Sequence, residues 1–97
     1  MRVIIDVTHQ DIEHGRRFGL TTCPVALALR RALGRALGDS NTVVMVCDGV
    51  LKAEDSTSYI FYYKLAGNMT KRIKRFICDF DAGKQSMKPF KATVVLK

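Results

Sequence analysis

Four cations within five residues are the part of this sequence whose types and spacing most directly predict a chemistry. Lys71, Arg72, Lys74 and Arg75 carry ammonium and guanidinium groups, which bind carboxylates and phosphates. Apolar residues recur around them every three to four positions, so this segment is predicted to form a helix with the cations on one side. The face is then either a binding surface for an anionic partner or a face that is simply solvated. The apolar stripe consists of Met69, Ile73, Phe76, Ile77 and Phe80.

A second predicted helix carries three more cations. Arg30, Arg31 and Arg35 point away from its apolar stripe, and we expect them to add to the first cationic face. Leu27 lies among these arginines, so it is expected to be exposed or to form a contact, and together with the tyrosines it is a candidate contact for a homodimer.

The loop before that second helix is a candidate anion site. Arg16, Arg17, Thr21 and Thr22 precede the helix N-terminus, where free backbone N–H groups attract anions. The loop matches neither a Walker A sequence nor a dinucleotide fingerprint, so we predict no cofactor. A plain connecting loop is the alternative interpretation.

Cys23 is the candidate nucleophile. It stands at the start of the second helix, where the helix dipole lowers the pKa of a thiol, and His9 or His14 would be the base. A small buried capping residue is the commoner role of such a cysteine. The histidines and cysteines lack the Cys-x-x-Cys and His-x-x-x-His spacings of metal sites, so no metal is predicted.

An aromatic segment offers a further alternative. Tyr59, Phe61, Tyr62 and Tyr63 could stack on nucleic-acid bases if they lay on the face of a sheet. The segment lacks the glycine and basic residues of the RNP1 motif, so packing in a core or an interface is the preferred interpretation.

Charge is distributed unequally along the chain. Residues 1–63 contain seven Lys/Arg and seven Asp/Glu, whereas residues 64–97 contain nine Lys/Arg and two Asp, which account for the net charge of +7. This asymmetry favours an acidic partner, either nucleic acid or an acidic protein. No apolar run reaches the roughly 18–20 residues of a membrane span, and three scattered cysteines suggest reduced thiols, so a cytoplasmic protein is predicted.

The pattern predicts one α+β domain over residues 1–97, in the order β-α-β(β)-β-α-β. We expect a mixed four- to five-stranded sheet with two helices on one face, most simply a ferredoxin-like split βαβ arrangement. Asn68 is the predicted N-cap of the cationic helix and Gly83 its C′ residue. The predicted strands are 2–7, 43–47, 50–53, 58–65 and 90–96; the predicted helices are a single turn from Thr8 to Gly15, residues 24–37, and the segment between Asn68 and Gly83.

Two segments resemble a group of small bacteriophage proteins of unassigned function. The first is Asp11-Ile12-x-x-Gly15 followed by Cys23-Pro-Val-Ala-Leu-Ala-Leu29, and the second is Phe76-Ile-x-x-Phe80-Asp-x-Gly83 followed by Pro89-Phe90. The shared positions are helix caps, an apolar stripe, a helix stop and a strand start, and residues 54–75 depart from the pattern. The resemblance implies a phage origin, and small phage accessory proteins often bind host machinery, including defence systems.

Three hypotheses follow. The first is a non-enzymatic phage protein in the host cytoplasm that binds an acidic host target. This binding would inhibit, for example, a host complex that handles nucleic acid or acts in defence. The second is direct binding of nucleic acid or a nucleotide through the same cations. The third and weakest is a cysteine-dependent enzyme that uses Cys23.

Overall fold

The computed structural model describes residues 2–37, 42–47, 50–55, 64–68 and 70–95. They form an α+β structure. The helices are α1 (His9–His14), α2 (Pro24–Leu37) and α3 (Lys71–Asp81), and the strands are β1 (Arg2–Val7), β2 (Thr42–Cys47), β3 (Val50–Asp55), β4 (Lys64–Asn68) and β5 (Phe90–Val95).

The described strands pair as two antiparallel sheets. β1 pairs with β5, from Arg2 opposite Val95 to Val7 opposite Phe90. β2, β3 and β4 form a three-stranded sheet in that order, and Cys47 lies opposite Val50 across the β2–β3 hairpin. The predicted single mixed sheet and its ferredoxin-like arrangement are therefore not confirmed, because no parallel pair joins the strands within the described residues.

The core lies between the inner face of the β1–β5 sheet and the helices. Residues alternate along β1, so Val3, Ile5 and Val7 are buried while the residues between them are exposed. The remaining buried apolar side chains come from α2 and the residue before it, β2, α3 and β5: Cys23, Val25, Ala26, Ala28, Leu29, Leu33, Val44, Val46, Ile73, Phe76, Phe90 and Val94.

Helix bounds agree with the sequence prediction except at the start of α3. Thr8 and Asp11 form the predicted capping box at α1, and α2 spans the predicted residues. The predicted N-cap of α3 is wrong: Thr70 is the cap, and its hydroxyl accepts from the N–H of Ile73 at 3.3 Å. Asn68 instead belongs to β4, opposite Val50.

Strand bounds differ more. β3 continues to Asp55, beyond its predicted end at residue 53, and β4 covers Ala66 and Gly67, beyond the predicted end of that strand at residue 65. Ladder pairing with neighbouring strands extends both segments. Residues 48–49, 56–63 and 96–97, which include Asp48-Gly49 between two predicted strands and the aromatic segment, lie outside the described residues.

Candidate functional site

The cationic face of α3, which we define as Lys71, Arg72, Lys74 and Arg75, is exposed at all four positions. Ile73 and Phe76 on the opposite side are buried, as the apolar spacing predicts. Among the described residues, no carboxylate forms an ion pair with any of the four cations. Lys71 and Arg75 are four positions apart and repel each other, which costs a few tenths of a kcal/mol, roughly 0.2–0.5.

Arg72 is held against the core by an aromatic ring. Its guanidinium carbon lies 4.9 Å from the centroid of the Phe90 ring, within the range of a cation–π contact. Phe90 in turn packs on Phe76, with ring centroids 4.7 Å apart. Both rings belong to the hydrophobic core, so the position of Arg72 is coupled to the packing of α3 on β5.

The end of α3 folds the following loop back along the helix. Gly83 has a φ of +80°, and its N–H donates to the carbonyl of Phe80 at 3.0 Å. The N–H of Lys84 donates to the carbonyl of Asp79 at 3.0 Å, which completes a Schellman motif. The side chains of the same two residues form an ion pair, with Nζ 3.6 Å from Oδ2.

This turn creates a cleft of about 380 Å³ between α3 and the segment 84–88. We call it the α3 cleft. It contains Arg72 and Arg75 of the cationic face, whereas Lys71 and Lys74 do not line it. The lining residues are Arg72, Arg75, Phe76, Asp79, Lys84, Ser86, Met87 and Lys88.

The arginines of α2 do not join the cationic face of α3 in this cleft. Arg30 is exposed on α2, while Arg31 and Arg35 line a separate cleft of about 420 Å³ between α2 and β1, together with Arg2 and Asp6. No residue lines both clefts.

Arg31 forms an ion pair with Asp11 inside the protein. Its two terminal nitrogens donate to the two carboxylate oxygens of Asp11 at 2.9 and 2.8 Å, and one of them also donates to the carbonyl of Asp6 at 2.7 Å. Burial disfavours the charged form of Asp11, but hydrogen bonds from Arg31 and Thr8 outweigh this effect and lower its pKa. The hydrogen bond to Asp11 raises the pKa of Arg31. A partner would have to compete with this pair, so Arg31 contributes to structure more than to an open cationic surface.

The predicted anion loop is ordered, and it contacts the C-terminal end of α3. Arg16, Arg17, Thr21 and Thr22 are all exposed. A Cβ added at Gly83 would lie 3.1 Å from the guanidinium carbon of Arg17, so this arginine lies against the end of α3. The N–H of Arg16 donates to the carbonyl of Thr22 at 2.9 Å, and the loop closes on itself through this bond.

Phe18 and Leu20 in this loop are exposed apolar residues that the sequence interpretation did not single out. Phe18 is 77% exposed and Leu20 is 49% exposed. Phe18 has a φ of 57°, which is unfavourable for a residue with a bulky side chain. Its N–H donates to Oδ1 of Asp81 at 2.9 Å, and the carbonyl of Leu20 accepts from the N–H of Val46 at 2.7 Å. Contacts with α3 and β2 thus hold the loop in a conformation that exposes an aromatic ring.

Cys23 has the surroundings of a structural thiol. It is buried, and its Sγ accepts from the N–H of Ala26 at 3.4 Å. Burial raises the pKa of the Cys23 thiol, which disfavours the reactive thiolate. His9 and His14 are both exposed on α1. In the described part of the chain, no three His, Cys, Asp or Glu residues are grouped as metal ligands would be.

Of the remaining sequence candidates, the structure describes Leu27 but not the aromatic segment. Tyr59, Phe61, Tyr62 and Tyr63 lie outside the described residues, so their proposed stacking or packing stays a prediction. Leu27 is half-buried on α2.

None of the described helices combines the length and apolar character that crossing a membrane requires.

Lys84 and Lys88 are further cations of the site that the sequence interpretation did not single out. They lie between the predicted cationic helix and the last predicted strand, and their role depends on the reversal of the chain after α3. Gly83 was the available signal, because a glycine at C′ predicts a left-handed turn that returns the chain toward the helix.

Comparison with protein-family models, curated proteins and solved structures gives no match to this chain.

Proposed function

We propose that this protein is a non-enzymatic phage accessory protein that binds an acidic host protein through the cationic face of α3. The inhibition of a host complex that handles nucleic acid or acts in defence is the biological outcome we propose for this binding. Only the sequence resemblance supports the phage origin and the host cytoplasm. The observation that carries the binding proposal is the exposure of Lys71, Arg72, Lys74 and Arg75 on one side of α3 without a described carboxylate partner.

The energetics of this face favour an anionic partner. Four cations on just over one turn of helix repel one another, and water screens this repulsion only in part. A complementary acidic surface would relieve it and would accelerate association by electrostatic steering. Arg72 is already positioned on Phe90, so less side-chain freedom is lost when it binds.

A protein is favoured as the target by the position of Phe18. Asp81, which binds the N–H of Phe18, lies seven residues after Lys74 and therefore on the same side of α3. The backbone of Phe18 is thus held at the C-terminal end of the cationic face, and the side chains of Phe18 and Leu20 are exposed. Protein interfaces commonly combine such an aromatic anchor with arginines, and here the exposed Arg16 and Arg17 directly precede Phe18 in the chain.

Direct binding of nucleic acid is the second candidate. Arg72 and Arg75 are joined by Lys84 and Lys88 around the α3 cleft, so cations continue from the helix into the next segment. A surface of this kind would contact phosphates without distinguishing base sequence, and its affinity would fall steeply with salt.

Capture from host lysate, with identification by mass spectrometry, tests the first candidate. The bait would be the wild type, Lys71→Glu/Lys74→Glu, and the charge-matched control Arg2→Glu/Lys91→Glu, whose sites are exposed on the β1–β5 sheet. We expect the α3 variant to lose a target that the wild type and control retain. Equal capture by all three would contradict the proposal.

A gel shift with random DNA and RNA at low salt separates the candidates. Salt-sensitive shifts that disappear in Lys71→Glu/Lys74→Glu would favour nucleic-acid binding. The absence of any shift at low salt would eliminate that candidate.

A further inference from the structure

The α3 cleft differs from the rest of the cationic face because two separate segments enclose it. Arg72 and Arg75 project from the helix, while Lys84 and Lys88 come from the segment that the Schellman motif turns back. A flat protein surface could reach the outer cations of α3, but it could not fill a cleft of about 380 Å³ without inserting a group into it.

Charge in the cleft is strongly unbalanced. Four cations line it and Asp79 is the one carboxylate among its lining residues, which leaves a net charge of +3. Asp79 is 3.6 Å from Lys84, beyond hydrogen-bonding distance, so it offsets that lysine only in part. Converging cations of this kind create a positive potential that concentrates multivalent anions.

The cleft also offers apolar contact. The half-buried side chain of Met87 lies among the cations and Ser86 adds a hydroxyl group, whereas the ring of Phe76 is almost fully buried behind them. Small-molecule sites in proteins commonly combine an apolar surface with a few converging polar groups in a volume of roughly 300–1,000 Å³. The α3 cleft has a volume at the lower end of that range, but its lining is mostly charged, which suits a strongly anionic ligand.

Phosphate groups fit this donor set better than carboxylates because a terminal phosphate presents three acceptor oxygens to the four cations, whereas a carboxylate presents two. The planar guanidinium of an arginine binds two phosphate oxygens at once, and lysines add point charges that a polyphosphate can bridge. A diphosphate or triphosphate concentrates several negative charges in a ligand compact enough for this volume. Arg72, which is held on Phe90, supplies a pre-positioned donor.

We propose that the α3 cleft binds a small polyphosphate ligand, of the nucleoside di- or triphosphate class, through Arg72, Arg75, Lys84 and Lys88. The phosphates lie among the four cations, and the nucleoside contacts Met87. This inference deepens the anion-binding part of the proposed function, on which it rests through the shared Arg72 and Arg75. Lys84 and Lys88 belong to the polyphosphate site and not to the cationic face of α3.

The test is a titration of the full chain with pyrophosphate, ATP and citrate at low salt, followed by NMR of backbone amides. Citrate is a compact tricarboxylate, so it controls for attraction of any multivalent anion. We expect pyrophosphate and ATP to shift the amides of residues 84–88 and to bind at least about tenfold more tightly than citrate, because each terminal phosphate offers three acceptor oxygens to the cations and a carboxylate offers two.

Two charge-matched variants localise the binding. Lys84→Gln/Lys88→Gln should weaken ATP binding at least about tenfold, whereas Lys71→Gln/Lys74→Gln, outside the cleft, should weaken it less than about threefold. All four side chains are exposed, so both variants should keep the native fold. Equal weakening by the two variants would overturn the proposal, and so would citrate binding as tight as that of pyrophosphate.

A single-stranded oligonucleotide distinguishes the two possible sources of the phosphate, a nucleic-acid backbone and a small polyphosphate. If the oligonucleotide shifts residues 84–88 while pyrophosphate and ATP do not, the cleft follows a nucleic-acid backbone and the small-ligand proposal is wrong. Failure of the two proposals is distinguishable: capture of an acidic protein lost in Lys71→Glu/Lys74→Glu but retained in Lys84→Gln/Lys88→Gln would support the protein target, whatever ATP does.

Discussion

Asp11 binds Arg31 at two points, with oxygen–nitrogen distances of 2.9 and 2.8 Å. Asp11 is 5% exposed and also accepts from the N–H of Thr8 at 2.9 Å, so one carboxylate joins the start of α1 to the middle of α2. The same guanidinium reaches the carbonyl of Asp6 at the end of β1. Three elements therefore meet at an ion pair in which one partner is buried.

We expect Asp11→Asn to lower the free energy of unfolding by about 2–3 kcal/mol, because it leaves Arg31 without its charged partner near the core. This range is below that of a fully buried pair, since Arg31 remains about one third exposed. Asp6→Asn is the matched control: it removes one carboxylate but keeps the backbone carbonyl that Arg31 contacts. Urea denaturation measures both, and a loss for Asp11→Asn no larger than that for Asp6→Asn would contradict this role of the pair.

The same pair predicts a pH dependence. The pKa of Asp11 is lowered in the folded protein, so its contribution is fully present above the unfolded value of about 4 and is lost as the pH falls through the lower folded value. Stability measured from pH 6 down to pH 2 should fall more steeply in the wild type than in Asp11→Asn. Parallel curves for the two proteins would show that Asp11 does not titrate in this way.

Phe18 should tolerate glycine better than alanine. Its φ of 57° costs a residue with a Cβ about 1–2 kcal/mol, and glycine avoids this cost. We therefore expect Phe18→Gly to be more stable than Phe18→Ala by about 1 kcal/mol, the reverse of the usual order. Thermal denaturation compares the two variants, and a more stable alanine variant would mean that the loop does not hold this conformation.

Thr70→Ala should destabilise the protein by about 1 kcal/mol, because the N–H of Ile73 loses its capping hydroxyl. Thr70→Ser, which keeps the hydroxyl, should lose much less. Chemical denaturation of the three proteins provides the comparison. If the serine variant loses as much stability as the alanine variant, the hydroxyl is not the stabilising group.

The cysteines should differ in reactivity. Cys78 is exposed, whereas Cys23 is buried and burial raises the pKa of its thiol. In variants that each retain a single cysteine, iodoacetamide at pH 8 should label Cys78 at least about tenfold faster than Cys23, because the thiolate is the reactive form. Rapid labelling of Cys23 in the folded protein would revive the cysteine-dependent hypothesis.

The sequence predicted local features better than pairings between distant segments. The bounds of α2 follow from Pro24 at the first helical position and an apolar stripe, and the exposure of the α3 cations follows from helical period. The start of α3 was misplaced because Asn68 and Thr70 are both good caps. Pairing of Asn68 with Val50, eighteen positions earlier, placed Asn68 in a strand, and local propensity could not reveal this.

In the site too, local features were predicted from the sequence and contacts between distant segments were not. Arg31 was assigned to the cationic face because its position on the helix points away from the apolar stripe, but its partner Asp11 lies twenty residues earlier in the chain. Lys84 and Lys88 enter the site because backbone hydrogen bonds at Gly83 and Lys84 turn the chain back along α3. Such long-range and geometric relationships are set by the tertiary structure, so periodicity alone cannot supply them.

Hydrogen–deuterium exchange of the protein, alone and with its captured target, tests the central claim most directly. We predict slower exchange over residues 70–81 and in the loop at 16–20 when the target is bound, because the cationic face of α3 and the ring of Phe18 would be covered. Protection confined to β1 and β5, with α3 unchanged, would contradict the proposal that this helix meets the acidic partner.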